Sequence, residues 1–176
     1  MKNITKLLLA LAIALFIGCE GDVGNNTTPT VVKTTATETI TAGTPTKVGD
    51  TGATISVSEG TTFTDADGNT LDKAPEAKVV VEKSVTVAKT VIDFTVDGNK
   101  RVQPTSPVTV SVPAPKGAKV GEEVQIDAPL GSKEAKVNFI PATVLKGFVV
   151  SIVIPEEAFL KPIIISVETK KDSSTN

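Results

Sequence analysis

Between positions 65 and 76 five carboxylate or amide side chains stand close together: Asp65, Asp67, Asn69, Asp72 and Glu76. With Asp65 as the first position of a calcium loop, oxygen donors fall at positions 1, 3 and 5, and Glu76 falls at position 12. Asp65, Asp67 and Asn69 are therefore candidate calcium ligands. The sixth position, where the loop needs glycine for its sharp turn, is Thr70, and the preceding Thr61–Thr64 read as strand rather than helix. Asp67-Gly68 is itself a strong hairpin signal, because aspartate and glycine tolerate left-handed backbone. A hairpin turn is the favoured reading of these residues.

The remaining chemistry is thin. Glu122-Glu123 and Glu156-Glu157 are adjacent acids, and neighbours in a strand point to opposite faces, so neither pair converges by itself. A glycosidase needs two carboxylates facing each other across a sugar. The chain has no His, Trp or Tyr. A serine or cysteine nucleophile lacks its usual base, zinc lacks its commonest ligand, and the rings that stack best on sugars are missing. Gly117 and Gly121 are isolated, with no Gly-Lys-Ser/Thr phosphate loop. Lys100-Arg101 reads as a solvated hairpin end. The expectation is a protein with no catalytic residues and no enzymatic activity.

One cysteine, Cys19, stands in a particular place. Lys2 and Lys6 make a positive start, and Leu7–Ile17 is an uncharged apolar run. This is the pattern of a secretory signal, too short for a helix of about 20 residues to span a bilayer. It ends in Phe16-Ile17-Gly18-Cys19, which resembles the bacterial lipobox. The resemblance implies cleavage between Gly18 and Cys19, diacylglycerol on the Cys19 thiol and an acyl chain on the new amino group. Thiolate nucleophilicity suits the first step. Several acyl chains suit stable anchoring, since one chain anchors only marginally. Glu20, rather than Asp, after the cysteine implies the outer membrane of a bacterial envelope rather than the inner one. No other cofactor is expected.

Removing residues 1–18 takes two lysines from the 18 basic residues and none of the 20 acidic ones, so the mature side chains sum to 16 − 20 = −4. That is no footprint for nucleic acid and shows no polybasic run for anionic lipid. With Cys19 committed to lipid, no disulfide is available, and the exported unit needs a real hydrophobic core.

The elements follow from composition and period. Residues 19–47 read as the lipidated cysteine and a polar spacer, with ten threonines among the twenty residues 27–46. Residues 20–47 would reach at most about 90–100 Å fully extended. Threonine also favours strands, so Val31-Val32 and Thr37–Thr41 leave open an edge strand within this stretch. Asn25 and Asn26 each begin an N-x-T sequon, read as chance in a bacterial export context.

From residue 48 to 169 the chain alternates apolar and polar residues. Ala53, Ile55 and Val57 do so, as do Ile92, Phe94 and Val96, then Val108, Val110 and Val112, then Val124 and Ile126, then Val137 and Phe139. Val79–Val81, Phe148–Ile154 and Ile163–Ile165 are continuous apolar runs, which suggest strands covered on both faces. Turn signals separate the runs at Asp67-Gly68, Asp97-Gly98, Pro113–Gly117, Leu130-Gly131 and Lys146-Gly147. Pro155–Phe159 suits one short helical turn. The fold expected is all-β: an antiparallel β-sandwich of roughly 7–10 short strands, with residues 170–176 a polar tail.

Residues 57–71, VSEGTTFTDADGNTL, and 106–126, SPVTVSVPAPKGAKVGEEVQI, resemble ZU5-like and immunoglobulin-like sandwich modules of bacterial surface lipoproteins. The resemblance implies a non-enzymatic, protein-facing or structural role. The function expected is a membrane-anchored envelope lipoprotein whose β-sandwich binds another envelope protein or a surface polymer. The alternative is a subunit of a surface fibre or adhesin assembled by strand addition. A calcium-dependent or carbohydrate-binding module ranks behind both.

Overall fold

The computed structural model describes residues 30–129, 137–143 and 152–169. Gly18, Cys19, the turns at Leu130-Gly131 and Lys146-Gly147, Phe148 and the polar tail lie outside the described residues. Thirteen strands are described, nine of them three residues or longer. In chain order they are β1 (Val32–Thr39), β2 (Thr46–Lys47), β3 (Thr54–Val57), β4 (Phe63–Thr64), β5 (Glu76–Lys83), β6 (Val87–Val96) and β7 (Lys100–Arg101). Then follow β8 (Gln103–Pro104), β9 (Val108–Ser111), β10 (Glu123–Pro129), β11 (Val137–Thr143), β12 (Ile152–Ile154) and β13 (Ile163–Thr169).

All pairings are antiparallel and the fold is an all-β, sandwich-like arrangement. The large sheet runs β1-β5-β6-β13-β10-β11, with β7 added to β6. The smaller runs β12-β9-β3-β2, and β4 pairs with β8. Pro155 precedes a 3₁₀ turn over Glu156–Leu160, with both glutamates in its first turn, as proline and acids at a helix start favour.

Register explains the core. Val79 of β5 lies opposite Ile92 of β6, and Ile92 opposite Ile163 of β13. In the small sheet Ile55 of β3 faces Val110 of β9, which faces Ile152 of β12. These rows are buried, and the inward residues of both sheets join one hydrophobic cluster. Valine and isoleucine fill it because their stiff branched side chains pack well on a pleated surface. Phe94 sits in the middle of the aromatic part. Its ring stacks on Phe159 of the 3₁₀ turn at 4.8 Å and meets Phe63 of β4 edge-on at 6.1 Å.

Thr51, Thr61 and Thr90 are the buried polar residues among those described, and Thr90 is the one within a strand. Thr90 lies between Val81 and Ile165 on the inward face, is 1% exposed, and its hydroxyl has no hydrogen-bond partner. An unpartnered buried hydroxyl costs about 1–3 kcal/mol. Thr90→Val keeps the shape and removes the hydroxyl. It is expected to raise stability by about 1 kcal/mol, read as a higher urea midpoint at unchanged slope.

One expectation is corrected. The apolar runs are not covered on both faces. Val80 is half-buried, Ile164 is 49% exposed and Val153 is 57% exposed, so β5, β12 and β13 bury one face only. β-Branched residues also serve on a solvent-facing strand surface, through cross-strand packing, so a run of them does not report burial. Within the stretch read as a spacer, the edge strand left open by its threonines is present: β1 pairs with β5 over its full length. Thr34, Ala36 and Glu38 turn their half-buried side inward while Lys33, Thr35, Thr37 and Thr39 face solvent.

Candidate functional site

The acidic turn is closed on itself. The Asp65 carboxylate accepts the backbone N–H of Asp67 at 3.0 Å and of Asn69 at 2.8 Å through Oδ1. Its Oδ2 accepts the Asn69 side-chain amide at 3.1 Å. The Asp65 N–H donates to the Asn69 carbonyl at 3.0 Å, and Gly68 holds the left-handed backbone the turn requires, at φ 84°. Asp65, Asp67 and Asn69 thus share one turn. Its charge is committed to turn donors: the Asn69 amide first, then backbone N–H groups, hold the Asp65 carboxyl below the usual carboxylate range. Among the described residues no group of three or more His, Cys, Asp or Glu side chains is arranged to hold a metal ion.

A depressed carboxyl stabilises the fold where it is ionised. Its contribution is present in full above about pH 5 and is lost as pH falls through and below the ordinary carboxylate range, about 3.9. The melting-temperature gap between the wild type and Asp65→Ala is therefore expected to be largest near neutrality and to narrow toward pH 3. A gap independent of pH would contradict this role for the carboxylate.

The neighbouring turn reinforces the same end of the molecule. Asp97 adopts φ 51° and Gly98 φ 86° in the tight connection from β6 to β7. Lys73 forms an ion pair with Asp97, and this hydrogen bond holds the Asp97 carboxyl below its usual range. Arg101, at the hairpin end read from the sequence, donates from Nε to Asp93 at 3.0 Å.

The two glutamate pairs are kept apart. Glu123 starts β10, and Val124 beside it lies opposite Thr169 at the end of β13. Glu156 and Glu157 precede the start of β13. The length of β13, about 20 Å, separates them. Glu122 is engaged locally: its Oε2 accepts the Lys119 N–H at 2.7 Å.

Sequence reasoning left one surface open that the fold defines. β1 and β11 end the large sheet, and among the described residues no strand covers their outer edges. β1 presents its unpaired backbone groups over a threonine-rich segment without Pro or Gly. Period-two threonine was the available signal. A second feature, a shallow groove on the small sheet, is lined by Gly43, Pro45, Ser56, Ser58, Glu59 and Thr109 and is open to solvent. Comparison with models of known protein families, with curated proteins and with solved structures finds no match to this chain.

Proposed function

We propose that this chain is a lipid-anchored, non-catalytic module of a bacterial envelope. Cys19 carries the lipid, at the outer membrane, and the β-sandwich contacts another envelope protein or a surface polymer. The observation that carries the reading is the order of parts: a positive start, an apolar run, Gly18-Cys19, and then a folded β unit whose first strand begins at Val32. The likeness of residues 57–71 and 106–126 to surface-lipoprotein modules supports it. With β1 taken into the sheet, the spacer is residues 20–31, which reach at most about 40 Å, far less than a tether ending at residue 47. Cys19→Ala is expected to move the protein from the detergent phase to the aqueous phase when native membranes are extracted. Retention of the variant in the detergent phase would refute the anchor.

A second reading is assembly by strand addition, favoured by the uncovered edge of β1. Val32–Thr39 already pairs with β5 in its own sheet, so this reading takes the form of addition at the outer edge of β1 rather than donation of that segment. A mature protein that sediments as a monomer at high concentration would refute it. A calcium role would require the metal to displace the hydrogen bonds that Asp65 already accepts.

A further inference from the structure

Seven large apolar side chains stand exposed among the described residues, and four gather at one end of the sandwich: Val31 at 57%, Val32 at 40%, Val85 at 58% and Val120 at 69%. Register brings them together. Val32 lies opposite Lys83 at the end of β5, and Ser84–Thr86 make the turn into β6 that carries Val85. The segment from Pro113 to Gly121 docks on that turn: Lys116 N–H donates to the Ser84 carbonyl at 3.0 Å and Gly117 N–H to the Val85 carbonyl at 2.9 Å. The approach needs glycine, since a Cβ at Gly117 would lie 2.6 Å from the Val85 oxygen. Two loop tips, each bearing an exposed valine, are thus tied side by side.

This is also the end at which the chain arrives from Cys19. We infer that this end rests on the lipid surface, with Val85 and Val120 in the headgroup layer and Lys83, Lys116 and Lys119 beside them. The inference rests on the proposed anchor. Residues 20–30 reach at most about 40 Å, so an anchored domain is held by this end within that distance of the bilayer. Exposed valines gain by leaving water, and lysine stems lie along apolar surface while their charges meet lipid phosphates. Of the acids at this end, Glu82 pairs with Lys33 at 3.0 Å and Glu122 turns to the Lys119 N–H. Glu123 and Glu168 stand exposed there as well. The opposite end carries Asp65, Asp67, Asp72, Glu76 and Asp97 against Lys73, Lys100 and Arg101, an acidic excess that suits solvent rather than anionic lipid. Lys83 lies 33 residues before Lys116, with Lys119 beyond it, so no polybasic run announces them.

The test uses the lipidated protein reconstituted in vesicles of phosphatidylethanolamine and phosphatidylglycerol. Val85→Cys, Val120→Cys and Asn99→Cys, the last in the turn at the far end, each carry an environment-sensitive fluorophore. With Cys19 acylated, the introduced thiol is the free one, because the chain has one cysteine of its own. Nitroxide lipids labelled at the headgroup are expected to quench the labels at 85 and 120 about threefold or more beyond that at 99. Adding Val120→Asp is expected to reduce quenching at 85. Low, equal quenching at all three sites in protein that floats with the vesicles would overturn the resting surface and leave the anchor standing. Protein that fails to float would overturn both.

Discussion

Phe94→Ala is expected to lower the stability of the β unit by about 3–5 kcal/mol, the largest loss from a single truncation here. The ring is 1% exposed and touches partners from two other parts of the chain, Phe63 in β4 and Phe159 in the 3₁₀ turn. Each ring pair adds about 0.5–1.5 kcal/mol beyond the area buried, and truncation leaves a cavity that strands cannot close without losing register. A domain of this size has about 5–15 kcal/mol in total, so the variant sits near the folding threshold. Phe94→Leu, which refills most of the volume but removes both ring pairs, is expected to cost about 1–3 kcal/mol. Urea unfolding of the three proteins measures both. A loss below about 1 kcal/mol in Phe94→Ala would mean that the three rings do not form the centre of the core.

The second large effect is at the seam between the two sheets. Gly49 has φ 45°, and a Cβ there would lie 2.7 Å from the Cβ of Ala36 on β1. Gly49→Ala therefore meets two costs: a left-handed backbone with a side chain, about 1–2 kcal/mol, and overpacking against β1, about 1–3 kcal/mol. The sum expected is about 2–5 kcal/mol. Adding Ala36→Gly relieves the second cost and leaves the first, so a double-mutant cycle is expected to show coupling of about 1 kcal/mol or more. Additivity would mean that β1 does not pack on the turn after β2. The pair matters because β1 is the first strand among the described residues.

Much of the strand content was legible. Alternation at Ile55, Phe94, Val110 and Ile126 marks β3, β6, β9 and β10, because a sheet with one face on the core demands a period of two. Asp97-Gly98 and Pro155 mark a turn and a 3₁₀ turn because their backbone preferences are local. β1 was legible only as an alternative. An edge strand that half-buries Thr34, Ala36 and Glu38 needs almost no apolar residues, so the segment resembles a spacer in composition. Ile163–Ile165 misled because branched side chains form strands whether or not their outer face is covered.

The acidic turn was legible as a turn, through Asp67-Gly68. Its internal closure, with Asp65 accepting from Asp67 and Asn69, depends on side-chain geometry. What no local pattern carried was assembly across the chain. Phe63, Phe94 and Phe159 meet, and Val32, Val85 and Val120 come to one end, only through contacts between distant segments.

The anchor at Cys19 is the claim on which the functional account depends, and the intact mass of the protein taken from its native membrane tests it most directly. The account predicts a chain that begins at Cys19 and carries a diacylglyceryl group and one further acyl chain, with no free thiol. An unacylated chain with a free Cys19 thiol would contradict it, and the placement of the sandwich against a lipid surface would fall with it.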